Sequence, residues 1–341
     1  MQMRDDLGIT TKLENGKAYL EFALPEKIGR LLSALQIEIW EEAEGERLVF
    51  HGEYSSEEAD SMTALLLRPH LWDGMRDPYV YLVKAQGRFR TMEDGEKTGG
   101  TRNEEESDPA EDITEAEDVY WQQELTIYDV RVVEKKGILL NEKEFLPHEV
   151  VYRLPPQISD AGMRVEQVRR DLERLVRMGV NAIRLEGTGS GAERQNCYEV
   201  RAFYRLCRRG GFLTGDLWIR PENLPVYRGL PGETTCQALL AADGRTLTER
   251  YYYYQAKWSS EPVLYPVLST LHRQENGLLS LTIYSNQKKV VLYVDGLLFL
   301  FQTATSGDPE FIFEDIPVEK LPLHLAVEAG NLSISLTVTK L

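Results

Sequence analysis

The stretch that most limits what this chain can fold into is "VRRDLERLVRMGVNAIRLEG", residues 168–187. Val165, Val168, Leu172, Leu175 and Val176 recur at helical spacing, and Gly179 supplies the stop. The apolar run "VNAIRLEG" follows at once and reads as a buried strand. A second amphipathic segment, "NCYEVRAFYRLCRRGG" (196–211), ends in Gly-Gly and leads into "FLTGDLWI" (212–219). With "HEVVYR" (148–153) upstream, the order is strand–helix–strand–helix–strand. At these lengths that implies parallel neighbours joined by right-handed crossovers. It is the opening of an α/β barrel or of a doubly wound sheet.

The flanks have another period. "KAYLEFAL" (17–24), "ALQIEIWEE" (34–42), "TALLLRP" (63–69), "PYVYLVKAQ" (78–86) and "YWQQELTIYDVRVVE" (120–134) are short, alternating and separated by turn signals. They predict a β-sandwich of immunoglobulin-like size. "GILLNEKEF" (137–145) predicts a short hairpin. Beyond the proline-rich "RPENLPVYRGLPGE" (220–233), a short helix is expected over 234–242. The chain then returns to strands, "ERYYYYQAKW", "GLLSLTIYSN", "KVVLYV", "LLFLFQ", "PEFIFEDI" and "LHLAVEAGNLSISLTVTKL", a second sandwich. Asp295-Gly296 between two apolar strands signals a type I′ hairpin.

The fold expected is therefore multidomain β plus α/β. An immunoglobulin-like sandwich (9–135) precedes a truncated (β/α) barrel-like unit (136–232), and a C-terminal immunoglobulin-like sandwich (245–341) ends the chain. Three parallel strands with open edges invite a cover, so a second copy or a partner protein is expected over the α/β unit.

Charge is concentrated. Residues 93–118 hold twelve acidic and two basic side chains and supply −10 of the net −16. With so little apolar content the segment cannot offset its ordering entropy, and 92–118 is read as a disordered insertion. The mildly acidic remainder argues against nucleic-acid binding. No apolar run reaches the roughly 20 residues of a membrane span, and the start lacks a signal core. Cys197, Cys207 and Cys236 have no metal or CxxC spacing and read as reduced thiols of a cytoplasmic protein. The five histidines form no HxH or HxxxH pair, so no metal or cofactor is expected. "EGTGSGAE" (186–193) lacks both phosphate-loop spacings.

Four passages carry a resemblance to a known family. They are "LWDGMRDPYVYLV" (71–83), "YDVRVVEKKGILLNEKEF" (128–145), "DLERLVRMGVNAIRLEG" (171–187) with "CYEVRAFYRLCRRGGFLTGDLW" (197–218), and "RYYYYQAKWSSEPVLY" with "LTIYSNQKKVVLYVDG". In this order they resemble glycoside hydrolase family 2, the β-galactosidase and β-glucuronidase family. Against that family the chain lacks the N-terminal jelly-roll domain, and some 90 residues stand where a barrel takes roughly 250.

The resemblance implies a retaining mechanism with two carboxyl groups about 5–5.5 Å apart. It places an acid/base glutamate after an asparagine on barrel strand 4 and a nucleophile on strand 7. Asn103-Glu104 and Asn141-Glu142 both fall elsewhere, so no catalytic residue is assigned. Arg184 matches the arginine of the family's NAIR run. Asp216 matches the first acid of its strand-3 pair, whose second acid is Leu217 here. With Glu186 and Trp218 these are the candidate carbohydrate-binding residues. A structural bridge from Arg184 to Glu186 or Asp216 is the plainer expectation. Tyr251–Tyr254 with Trp258 are read as strand packing. The expected function is a catalytically inactive relative that binds carbohydrate or acts as an interaction scaffold; an active β-glycosidase with a displaced or partner-completed carboxylate pair is the alternative.

Overall fold

The computed structural model describes residues 7–24, 32–41, 47–59, 61–89, 117–154, 161–186, 198–215, 224–229, 238–305 and 307–340. Two compact units result, 1–146 and 147–341.

The first unit holds β1 (Gly8–Glu14), β2 (Lys17–Ala23), β3 (Leu32–Glu41), β4 (Arg47–Ser55), β5 (Thr63–Leu67), β6 (Tyr81–Phe89) and β7 (Glu117–Leu125). They form two antiparallel sheets, β1-β2-β5 and β4-β3-β6-β7. Alternation sets which side chains go in: Ala18, Leu20 and Phe22 of β2 are buried between exposed neighbours, and Leu35, Ile37 and Ile39 of β3 meet them in one core. A meander of β8 (Val130–Val133), β9 (Gly137–Leu140) and β10 (Lys143–Phe145) follows. Its hairpin turns at Asn141 and Glu142, both at positive φ. Asn141 pins that turn: its side chain accepts from the Asp129 N–H (3.0 Å) and donates to the Trp72 carbonyl (2.9 Å). Most of the acidic segment lies outside the described residues. Its last two members belong to β7, where Asp118 pairs with Arg88.

The second unit opens with β11 (Glu149–Arg153), α1 (Ala161–Met178), β12 (Ala182–Glu186), α2 (Tyr198–Arg209) and β13 (Leu213–Thr214). Both helices end as Gly179 and the Gly-Gly pair predict. The Val180 N–H reaches the Leu175 carbonyl and the Gly179 N–H reaches Val176, with Gly179 at φ +88°. Gly211, at φ +76°, ends α2 in the same way.

Two further strands, β14 (Val226–Arg228) and β15 (Ala238–Leu240), join the same sheet. The sheet is parallel throughout, in the order β13-β12-β11-β14-β15. It therefore has five strands where the periodicity suggested three, and a strand stands within the expected helix at 234–242. The fourth strand returns beside the first, so β11 is paired on both sides. Its buried residues run continuously, as an interior parallel strand requires. All three helices pack on one face of the sheet, against Val150, Tyr152, Ile183, Tyr227 and Leu239.

The third helix, α3 (Glu249–Trp258), contains the tyrosine run that the sequence suggested as strand. Beyond it come β16 (Leu264–Arg273), β17 (Leu279–Ser285), β18 (Lys289–Val294), β19 (Leu297–Thr303), β20 (Glu310–Ile316), β21 (Leu323–Ala329) and β22 (Leu332–Val338). They pair as β16-β17-β20 and β19-β18-β21-β22, a second three-plus-four sandwich around its own core. Asp295 and Gly296 both have positive φ, as a type I′ turn demands. Among the described residues, no helix is long and apolar enough to cross a membrane.

Candidate functional site

The carboxyl ends of the parallel strands are where α/β folds place chemistry, because loops and helix starts converge there. The register defines two faces. Glu149, Val151 and Arg153 of β11 alternate away from the helices, and Ala182, Arg184 and Glu186 of β12 lie beside them in turn. This face carries two ion pairs in layers. In the lower layer the Arg184 Nε donates to Glu149 Oε1 at 3.1 Å, with Glu149 fully buried and the Arg184 side chain 11% exposed. In the upper layer Arg153 donates through two nitrogens to the Glu186 carboxylate and through Nη1 to the Arg228 carbonyl (3.3 Å). Glu186 is half exposed and is the accessible member of the group.

On the helix face a third acid is enclosed completely. Asp171 of α1 has no exposed surface. Its carboxylate accepts from the Tyr152 hydroxyl (3.0 Å), the Tyr227 hydroxyl (3.0 Å), Arg228 Nη2 (2.8 Å) and Gln167 Nε2 (2.9 Å). Burial, and after it the Asp171 charge, pushes the Tyr152 and Tyr227 phenols above their ordinary range, so both stay protonated and donate. Tyr152 stacks between Phe203 and Tyr227 at 5.1 and 5.5 Å. Gly244 comes so close to Arg228 that a Cβ there would lie 2.4 Å from Nη1, which holds the guanidinium against Asp171.

Of the residues singled out from sequence, Arg184 and Glu186 sit two positions apart on β12 and share its outward face. Arg184 turns back to Glu149, and Glu186 goes to Arg153. Arg184 thus has a bridge to Glu149 that the sequence did not disclose. Asp216 and Trp218 lie outside the described residues, as do the glycine-rich stretch beyond Glu186 and Cys197 and Cys236. Cys207 is fully buried, and burial pushes its thiol pKa up. Among the described residues no group of three or more His, Cys, Asp or Glu is placed to hold a metal.

Sequence reasoning passed over Glu149, Arg153, Asp171 and Arg228. Asp171 did carry a signal. It sits three residues after Val168 and four before Leu175, on the apolar stripe of the helix, where an acid needs a buried partner.

No protein-family model matches the sequence, and no curated protein does. Solved structures do match in shape. An FMN-binding β-glucuronidase from Facaelibacterium prausnitzii L2-6 aligns with TM-score 0.63 at 13% identity, over 98% of this chain and 74% of that one. A β-glucuronidase from Parabacteroides merdae, with glycerol in its active site, aligns with TM-score 0.61 at 10% identity, over 98% and 63%. A glycosyl hydrolase family 2 member from Bacteroides cellulosilyticus DSM 14838 gives 0.60 at 13%, over 98% and 63%. The chain has the glycoside hydrolase family 2 fold. It does so in fewer residues, spanning 63% of the last two of these family 2 relatives. The alignment runs over nearly the whole chain, so first sandwich, α/β sheet and second sandwich all fall within it. The family 2 likeness is one of fold.

Proposed function

We propose that this chain is a family 2-like protein of carbohydrate metabolism that does not hydrolyse glycosides by itself and serves as a carbohydrate-binding or interaction scaffold in the cytoplasm. One observation carries the reading. Among the described residues, the two carboxylates on β11 and β12 and the one enclosed on α1 are each committed to an arginine: Glu149 to Arg184, Glu186 to Arg153, Asp171 to Arg228. Two of the three are fully buried. Retaining hydrolysis needs two carboxyl groups about 5–5.5 Å apart that both face the sugar, and acids whose lone pairs are held inside the protein do not serve it. A five-stranded parallel sheet with its helices on one face is, on this reading, what a reduced barrel retains.

Glu186 and Arg153 at the rim, together with Asp216 and Trp218, are the proposed contacts for a sugar. Arg184 acts one layer below as their support. A second copy of the chain or a partner protein covers the α/β unit.

The test is turnover of chromogenic β-glucuronides and β-galactosides by the intact chain, beside calorimetric titration with the corresponding free sugars. Binding without turnover is the expected result. Turnover that disappears in Glu186→Gln overturns it and favours the second reading, an active β-glycosidase whose carboxylate pair is displaced or completed by a partner. The exposure of Glu186 at a strand end is the observation that favours that alternative.

A further inference from the structure

The first sandwich carries a concavity unrelated to the strand ends. On the outer face of the β4-β3-β6-β7 sheet, a groove of about 520 Å³ is lined by Gln36, Glu38, Lys84, Gln86, Tyr120 and Gln122 above Ala85 and Trp121. That volume is in the range of small-molecule sites, about 300–1,000 Å³. Strand pairing arranges the polar residues in two rows. Gln36, Gln86 and Tyr120 lie side by side in one, and Glu38, Lys84 and Gln122 in the next. Neighbours within a row are roughly 4.8 Å apart, the spacing of strands.

Several of these side chains are already held in place. The Glu38 carboxylate accepts from Gln36 Nε2 (3.1 Å) at one oxygen and from the Trp40 indole N–H (3.0 Å) at the other. The Lys84 ammonium lies 4.8 Å from the centre of the Trp40 ring. Gln86 donates to the Tyr120 hydroxyl (3.1 Å), which leaves the Tyr120 ring, 47% exposed, as a wall of the groove.

We propose that this groove binds a neutral oligosaccharide. The chemistry selects the ligand. Glu38 and Lys84 cancel, so the lining favours neither an anion nor a cation. Three carboxamides present donors and acceptors together, which is what a row of hydroxyl groups on a sugar requires. Glu38 Oε2 keeps a further lone pair for a hydroxyl donor, while Oε1 also lies 3.7 Å from His51 Nδ1. The Tyr120 ring offers an apolar face for the C–H side of a pyranose. An extended peptide fits less well. β3 and β6, under the middle of the groove, are paired on two sides, and a peptide joining the edge of β7 would lie beside the groove rather than in it.

The experiment uses the full chain and neutral β-linked tetrasaccharides of glucose, galactose and mannose, followed by calorimetry and by the fluorescence of Trp40 and Trp121. At least one tetrasaccharide is expected to bind. Tyr120→Ala, and separately the Gln36→Ala/Gln86→Ala pair, weaken it by about tenfold or more. Melting temperatures stay near the wild-type value, because Tyr120 and Gln86 are exposed and Gln36 is half-buried on the solvent face of the sheet. Glu186→Gln at the strand ends leaves the affinity unchanged, so failure of the rim site and failure of this groove are told apart. No binding of any of the three at about 10 mM overturns the proposal. Binding that ignores the groove substitutions also overturns it, as does an extended peptide competing for the groove more tightly than any sugar.

Discussion

A carboxylate without exposed surface, such as Asp171, persists in a fold because donors converge on it, and here two phenols, a guanidinium and an amide do so. Asp171→Asn keeps the shape, removes the charge that balances Arg228, and turns an NH₂ group toward a donor. A loss of about 3–5 kcal/mol is expected from the urea midpoint. The double change Asp171→Leu/Arg228→Met is expected to recover part of it, since the pair then leaves no charge behind. A loss under about 1 kcal/mol in Asp171→Asn would show that the enclosed network contributes little to stability. His148 supplies a pH dependence. Its ring stacks on Trp258 at 5.2 Å, and Nδ1 donates to the Gly179 carbonyl at 2.9 Å. Burial lowers its pKa below the ordinary 6.5, and the Gly179 carbonyl opposes this to a smaller extent. The unfolded chain therefore binds the proton more readily. The contribution to stability is complete above the ordinary histidine value and is lost as pH falls through the lowered folded value. Urea midpoints measured from pH 8 down to 5 are expected to fall less steeply in His148→Gln than in the wild type; equal slopes would remove His148 from the account.

At the scale of elements, Gly179 joins helix to strand under two constraints at once. Its φ of +88° disfavours any side chain, and a Cβ would lie 2.4 Å from the Trp258 carbonyl oxygen, on backbone that cannot swing aside. Gly137 has a similar φ, +78°, with nothing near its missing Cβ. Gly137→Ala is expected to cost about 1–2 kcal/mol through backbone strain alone. Gly179→Ala should cost about 2–3 kcal/mol more, because overpacking is added to strain. Equal melting-temperature losses in the two variants would mean that α3 gives way without penalty. The same elements show what the sequence disclosed. Local signals were legible: the alternation of β2, the glycine stops and the Asp295-Gly296 turn formed as read, and the apolar stripe of α1 did so through Val168, Leu172 and Leu175, with Val176 exposed. The tyrosine run misled because tyrosine favours strands. As a helix, it sends Tyr251 into the α/β core, Tyr252 onto Tyr265, Tyr253 onto Tyr284 and Tyr254 onto Trp258. β14 and β15, three residues each, were too short for any period to mark. Arg184 and Glu186 were legible as a motif. Their partners Glu149 and Arg153 were not, being 35 and 33 residues away and joined only by parallel register.

At the scale of the molecule, the question is how many parts unfold independently. The unit spanning 147–341 contains two cores, that of the α/β sheet and that of the second sandwich; α3 packs in the first, and its tyrosines meet β16 and β17 of the second. Toward the sheet, the Tyr251 hydroxyl donates to the Arg174 carbonyl at 3.0 Å. Toward the sandwich, Tyr252 stacks on Tyr265 at 3.8 Å and 6°, and Glu249 accepts from the Ser269 N–H (3.1 Å) and hydroxyl (2.6 Å). Asn286 ties the exit of α3 to the sandwich, donating to the carbonyls of Ser259 (3.1 Å) and Glu261 (2.7 Å). Opening either core therefore strips partners from the helix that completes the other, and the two should open as one cooperative unit. Hydrogen exchange on the intact chain measures this directly. Amides of β11 and β12 and amides of β17 and β21 are expected to share one opening free energy. Tyr252→Ala should lower both sets together by about 1–3 kcal/mol, and leave the strands of 1–146, which have their own core, unmoved. If exchange accelerates in the sandwich strands while β11 and β12 keep their protection, α3 is an ornament of one core rather than the joint between two. The parallel sheet must then hold itself together, and the Asp171 network would be the place where it does so.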